Sequence, residues 1–348
     1  MVSAFAPGRV NLIGDHTDYM GGPVLPMAVQ MGTTVTGEYR ADDPAPARLV
    51  LRSDRLDGVV EVDLPVVDPS VIRPPWGRYP AGVAAVLGST VGFDGTVSSD
   101  LPIGGGLSSS ASLEVATALL LGAPTDALEL ARLCRRAEVT ATGVPCGIMD
   151  QLAVTAGVEG HALLIDCATE DVTPVRVPDA ATFWVFDSGQ ARELAGSSYA
   201  ERRTQAEAAA AIVGPLPHAS MAAIASLVDP VLRARARHVR TECDRVHAFA
   251  AALSACDLAR AGELMLDSHR SLRDDYEVST PLLDAMVEDL VRIPGVHGAR
   301  LTGAGFGGCV VVLTGSDVTP SLGSVSSLGV RVHPSAGAHL IDEPPPNL

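Results

Sequence analysis

The sequence predicts a globular protein of mixed strands and helices with room for two domains, and three observations carry that expectation. The first hundred residues alternate short β-like runs with Pro/Gly/Asp turns. Helical periodicity dominates from residue 109 onward, and the composition shifts near residues 178–182. The 348 residues, 47% of them hydrophobic, are enough to fill two cores of ordinary size.

In order, strands are expected at 9–13, 33–39, 48–52, 59–64 and 95–99, then helices over 109–121, 126–142 and 145–157, and strands near 161–167, 172–177 and 182–188. Beyond the shift come helices near 196–212, 218–226, 229–254, 257–269 and 281–292, followed by strands near 297–302, 308–314 and 328–333. Leu113, Ala116, Leu119 and Leu120 repeat at helical spacing, with Gly122 and Pro124 as the stop. Thr280 before Pro281, with Leu283, Met286, Val287 and Leu290 on one face, reads as an N-cap with proline in the first turn. "AEAAAAIV" is helix filler rather than a repeat, and the tail "EPPPNL" is expected to be disordered.

Composition sets aside several functions. With 25 basic and 41 acidic residues the net charge is −16, which repels nucleic acid and anionic membranes outside a local arginine patch. No apolar stretch approaches the roughly 18 residues of a membrane helix. "MVSAFAPGRV" also lacks the basic start and long apolar core of a secretory signal, so a cytoplasmic location is expected. The charge disfavours nonspecific self-association; a monomer is expected, with a dimer left open. The cysteines at 134, 146, 167, 243, 256 and 309 form no C-x-x-C pair, so they are expected to be reduced and largely buried. All 25 basic residues are arginine. Any phosphate clamp must then use backbone N–H groups, hydroxyls, arginine and a metal ion, and a lysine-dependent phosphotransferase mechanism is excluded.

Four clusters could carry chemistry. "LPIGGGLSSSAS", residues 101–112, sets glycines and serines at the mouth of a helix, where free N–H groups suit a phosphate; the plainer reading is a linker or turn. It is not a Walker A loop, which needs a lysine. "PGRVNLIGDHTDYMGGPVLPMAV", residues 7–29, places Arg9, Asn11, Asp15, His16, Asp18 and Tyr19 within eleven positions. An Asx-type turn, a metal site, or hydrogen bonding to a polyhydroxylated ligand would each explain that density. "GVPCGIMDQLAV", residues 143–154, sets Asp150 among apolar neighbours, where a carboxylate must be paired, hydrogen-bonded or functional. Glu138, in "CRRAEVTATG", reads by itself as part of a solvated face. Last, "LTGAGFGGCVVVL", residues 301–313, carries four glycines before a strand, the reverse of the Rossmann order and a weak nucleotide signal.

Together these clusters resemble the GHMP kinases, and within them the galactokinases. "GRVNLIGDHTDY", "LPIGGGLSSSASLEVA" and "LTGAGFGGCVVVL" look like that group's three motifs. "CGIMDQ", "GSSYAERR" and "ELMLDSHRSLRDDYEVSTPLLD" look like further galactokinase segments, so the likeness runs from about residue 4 to 313. It implies a two-domain α+β fold, with an S5-like domain over residues 1–178 and a ferredoxin-like domain over 179–348, the active site between them. It also implies ATP-dependent phosphorylation of α-D-galactose at the anomeric hydroxyl, with Mg²⁺ as cofactor and galactose and ATP as small-molecule partners. By resemblance, the transition-state arginine falls on Arg9 and the catalytic aspartate on Asp150. The sugar-contacting group falls on Asp15, His16, Asp18, Gly147 and Tyr199, and the magnesium ligands on Ser110 and Glu138. The phosphate loop comprises Gly104, Gly105, Gly106, Leu107, Ser108, Ser109 and Ser110, and Trp76 and Tyr79 are expected near the adenine.

The sequence departs from that pattern at Asp15, where galactokinases usually carry Glu reaching the sugar's 6-hydroxyl. A bridging water, a small backbone approach, or a sugar with a different substituent at that end would each accommodate the shorter side chain. A kinase of another hexose, such as N-acetylgalactosamine, and a non-catalytic galactose sensor are the competing functions. The chain also starts six residues before its first motif, so part of the usual domain edge is expected to be missing or rearranged.

Overall fold

The computed structural model describes residues 1–40, 47–102, 106–190, 195–322 and 329–342. The first half runs β1 (Val2–Asn11), β2 (Pro23–Val24), β3 (Pro26–Arg40), β4 (Arg48–Ser53), β5 (Val59–Asp63), α1 (Arg78–Leu87), β6 (Gly92–Ser99), α2 (Ser109–Leu120), α3 (Ala127–Thr142), α4 (Met149–Thr155), β7 (His161–Asp166) and β8 (Asp171–Arg176). The second runs β9 (Ala181–Asp187), α5 (Ala195–Val213), α6 (Met221–Ala225), α7 (Pro230–Ser254), α8 (Leu258–Asp274), α9 (Pro281–Val291), β10 (Val296–Thr302), β11 (Cys309–Gly315), β12 (Val330–Val332) and β13 (His339–Asp342).

Strands β1, β3, β4, β5 and β6 of the first half, joined at one edge by β13 from the far end of the chain, form a sheet in the order β13-β1-β3-β6-β4-β5, antiparallel except for the β4–β6 pair. Val35, Leu49 and Phe93 of this sheet pack on Leu113, Val115 and Ala116 of α2 and on Leu130, Leu133 and Ala137 of α3. The second half holds an antiparallel sheet, β10-β11-β9-β12, against which α8 and α9 lie. A further core joins the halves: Val10, Leu12, Leu25 and Met27 meet Phe249 and Leu253 of α7, Leu264 of α8, and Phe183 and Val311 of the second sheet. Burial of these groups from both halves fixes the walls of the cleft between them, because a packed interior transmits rather than absorbs displacement. Among the described residues no helix is long and apolar enough to cross a membrane.

Local chemistry accounts for the helix starts. Asp126 caps α3 by accepting from the N–H groups of Leu128 and Glu129, and Thr280 caps α9 by accepting from Leu283. α2 is different: Ser108 at its N-cap has φ +54° and makes no capping bond, leaving the first-turn N–H groups without a side-chain cap. Three elements lie outside the expected set. α1 was hidden by Pro80 and Gly82, although proline is tolerated in a first turn, and Gly82 lets α1 approach the Ala137 carbonyl of α3. The two-residue β2 and the four-residue β13 are too short for a period, and β13 pairs with β1 from the far end of the chain. The tail at 343–348 lies outside the described residues.

Candidate active site

A cavity of about 780 Å³ opens where the end of β1, the start of α2 and the start of α4 meet the turns after β9 and β10. Arg9, at the end of β1, reaches across it. Its Nε and Nη2 donate to the two carboxylate oxygens of Asp150 at 2.8 and 2.7 Å, and its Nη1 donates to the Gly106 carbonyl at 2.7 Å. That fork-to-carboxylate geometry fixes both side chains. The Arg9 N–H also donates to the Leu107 carbonyl at 3.0 Å, so strand and phosphate loop are tied together. The Ser108 hydroxyl donates to Asp150 as well. With three donors on its oxygens, the Asp150 carboxylate keeps one of about four acceptor positions for a substrate hydroxyl.

Asp15, His16 and Asp18 form the opposite wall. Asp15 is buried; its oxygens accept from Arg300 and, at 2.8 Å, from the Gly303 N–H. A carbonyl only accepts, so the His16 Nε2 carries the proton donated to Ala304 at 3.2 Å, and Nδ1 accepts from the Tyr19 hydroxyl at 3.0 Å. Tyr19 in turn accepts from Tyr276 at 2.7 Å. Burial, then the neighbouring His238, lowers the His16 pKa to about 3, keeping the ring neutral. Burial, then the nearby Asp150, raises Asp18 to about 6. The Tyr199 ring lies 5.6 Å from His16 and 5.5 Å from Tyr19 and lines the same cavity.

Glu138 and Ser110 line the third corner. Glu138 accepts from Gln151 Nε2 at 2.6 Å, and burial followed by Asp150 raises its pKa. Glu114 behind it is buried and pushed well up by burial and by Glu138, and one of its oxygens has no hydrogen-bond partner. Among the described residues neither glutamate has an ion-pair partner, so no protein cation offsets this acidic corner. A carboxylate and a hydroxyl facing a phosphate loop fit a hard divalent ion completed by substrate oxygens and water.

The structure thus brings together Arg9, Asp15, His16, Asp18, Tyr79, Gly106, Ser108, Ser109, Ser110, Glu138, Gly147, Asp150 and Tyr199 around one cavity. Leu107 is 2% exposed and points into the core, contributing its carbonyl rather than its side chain. Trp76 does not line the cavity; its indole N–H donates to the Asp57 carbonyl at 3.2 Å. Gly104 and Gly105 lie outside the described residues. Asp187, Gly189 and Gln190 also line the cavity, and the signal for them was a strand ending in Asp before a Gly turn. In the glycine-rich turn after β10, the Gly303 N–H and the Ala304 carbonyl hold Asp15 and His16.

Residues 2–38 match a family model described as the galactokinase galactose-binding signature, residues 78–158 the GHMP kinases N terminal domain, and residues 249–322 the GHMP kinases C terminal. The galactokinase of Homo sapiens is 42% identical over 333 residues, covering 90% of this chain and 84% of its own length. The chain belongs to the galactokinase family. A second galactokinase, from Chloroflexus aurantiacus, is 42% identical over 332 residues, with the same coverage of 90% and 84%. The crystal structure of Lactococcus lactis galactokinase complexed with galactose matches with a TM-score of 0.84 at 30% identity, over 97% of this chain and 94% of that one. The expected two-domain α+β GHMP kinase fold is therefore the fold of this galactokinase-family chain.

Proposed function

We infer that the chain transfers the γ-phosphoryl group of ATP to the anomeric hydroxyl of α-D-galactose, giving galactose 1-phosphate and ADP, the first step of galactose catabolism. The observation that carries this reading is the Arg9–Asp150 fork beside the open first turn of α2, facing Asp15, His16 and Asp18 across one cavity. Membership of the galactokinase family supports it.

The free N–H groups at the α2 N-terminus, with the hydroxyls of Ser109 and Ser110, hold the phosphates of ATP. Ser110 and Glu138 would hold Mg²⁺, which would supply neutralisation of the phosphate charge. Asp18, Asp15, neutral His16 and the Tyr199 hydroxyl supply donors and acceptors for the sugar, and Gly147 gives Asp18 its place. Tyr79, which lines the cavity, flanks the adenine. Asp150 orients the anomeric hydroxyl through its open acceptor position. As that oxygen bonds to the γ-phosphorus and the bond to ADP breaks, the hydroxyl proton passes to Asp150. Arg9 stabilises the charge on the transferring group. A carboxylate suffices as acceptor because a loose transition state lets the proton leave late.

The proposed division of labour follows the two halves, 1–178 carrying the phosphate loop and catalytic pair and 179–348 closing the sugar wall. We place the chain in the cytosol as a monomer.

The test is ADP release with ATP and Mg²⁺ over galactose, 2-deoxygalactose, galactosamine, N-acetylgalactosamine, 6-deoxygalactose, glucose and mannose. Galactose should be the preferred acceptor. An inert galactose beside another sugar that turns over would overturn the substrate.

A further inference from the structure

The carboxylate of Asp15 is gripped from the second half of the chain. Arg300 of β10 is fully buried; its Nη2 donates to Asp15 Oδ2 and its Nη1 to the Leu12 carbonyl at 3.0 Å. Three residues on, the Gly303 N–H takes the other oxygen, Oδ1. Behind Arg300 stands Glu242 of α7, 4.0 Å from the same nitrogen. Glu242 accepts from the Gly14 N–H at 3.0 Å and from Ser268 at 2.6 Å, and pairs with Arg245 at 2.7 Å. Burial would raise Glu242, but Arg245, His238 and Arg300 hold its pKa down at about 2, so it stays a charge. Signs therefore alternate through the core, Asp15, Arg300, Glu242, Arg245, and residues 12, 14 and 15 of the sugar-facing loop are all held by that chain.

Such a buried network is weak evidence of stabilisation: replacing all of it by apolar groups of the same shape is often neutral, whereas removing one partner leaves an uncompensated buried charge. What it provides is orientation. One acceptor position on each Asp15 oxygen is taken by protein, which leaves the remaining ones for hydroxyl groups in the cavity. Without Arg300 only the Gly303 N–H would hold the Asp15 carboxylate, and its orientation toward a ligand would loosen.

We propose that Arg300 is the positioning residue for sugar recognition: it fixes the Asp15 carboxylate at the sugar and thereby sets sugar affinity without acting on phosphoryl transfer. This rests on Asp15 being a sugar ligand. The experiment measures kcat and both KM values for full-length Arg300→Met, Arg300→Lys, Asp15→Ala and the Arg300→Met/Asp15→Ala pair, with thermal melts as a check of folding. Arg300→Met should raise the galactose KM by about 10–100-fold, with kcat and the ATP KM within about threefold. Arg300→Lys should fall between, because one ammonium cannot serve Leu12 and Asp15 as a planar fork does. In the pair, the Arg300 change should add nothing to the galactose KM of Asp15→Ala. Independent, multiplying effects, or a loss spread equally over kcat and ATP, would overturn the proposal. If Arg300→Met does not melt cooperatively, Arg300→Lys carries the test, and a parental galactose KM there overturns it. An unchanged galactose KM in Asp15→Ala would instead overturn the reading of Asp15 itself, and the proposal with it.

Discussion

A β-carbon at Gly147 would lie 1.8 Å from a carboxylate oxygen of Asp18, so position 147 must be glycine for Asp18 to hold its place. Gly147→Ala forces the Asp18 carboxylate aside, and a flexible side-chain end yields more readily than the backbone. Galactose affinity should fall by about tenfold or more, while stability changes by less than about 1 kcal/mol. Calorimetric titration with galactose beside a thermal melt checks both, and unchanged binding would separate Asp18 from the sugar.

Asp18 also predicts a trade between stability and function. Its folded pKa, about 6, stands above its ordinary 3.8, raised by burial, Asp150 and Asp15 against the opposing Arg9. The sign follows from linkage: a raised folded pKa contributes stability that is complete below about pH 4 and lost as pH rises through 6. Asp18→Asn should therefore stabilise the protein at pH 7.5 by roughly 1–3 kcal/mol, with the gain vanishing toward pH 4. Galactose affinity should fall in the same variant. Melts across that range decide it; a pH-independent difference would contradict the assignment.

Arg9 makes three directed bonds, two to Asp150 and one to Gly106. A lysine cannot reproduce a fork of that shape. Arg9→Ala should lower kcat by about 10² or more, Arg9→Lys should recover little of it, and galactose affinity should stay within about threefold. Loss confined to galactose affinity would make Arg9 a binding residue instead.

Glu138 offers a metal-dependence test. Glu138→Gln removes a carboxylate whose pKa is already raised by burial and by Asp150. The Mg²⁺ concentration for half-maximal rate should rise by about tenfold or more, with the galactose KM unchanged. Titrating Mg²⁺ at saturating ATP and galactose reads this directly, and an unaltered curve would take Glu138 out of the metal site.

Periodicity made most of the fold legible: the expected 109–121, 126–142 and 229–254 are the helices Ser109–Leu120, Ala127–Thr142 and Pro230–Ser254. Long helices and strands carry enough repeats to reveal a period, whereas β2 and β13 do not, and α1 was absent from the expected set because Gly and Pro near its start mask the helical pattern. In the site, Arg9, Asp15, His16 and Asp18 stood out as polar groups crowded beside apolar sequence, and Asp150 as a carboxylate among apolar neighbours. Glu138 did not, because one acidic residue on a helix has the pattern of a solvated face; only the family likeness raised it. Arg300 escaped altogether. Its partner Asp15 is 285 positions away in the chain, and no local pattern encodes a contact at that separation. A lone arginine inside the apolar run before a glycine-rich turn was the only trace it left.

The most direct measurement compares turnover and galactose binding in Asp150→Asn. The amide keeps the shape of the side chain but cannot accept the sugar's proton as a carboxylate does. ADP release should fall by about 10³-fold or more while the galactose dissociation constant stays within a few-fold. Near-normal turnover would contradict the proposed mechanism, leaving Asp150 as the structural counter-ion of Arg9 alone.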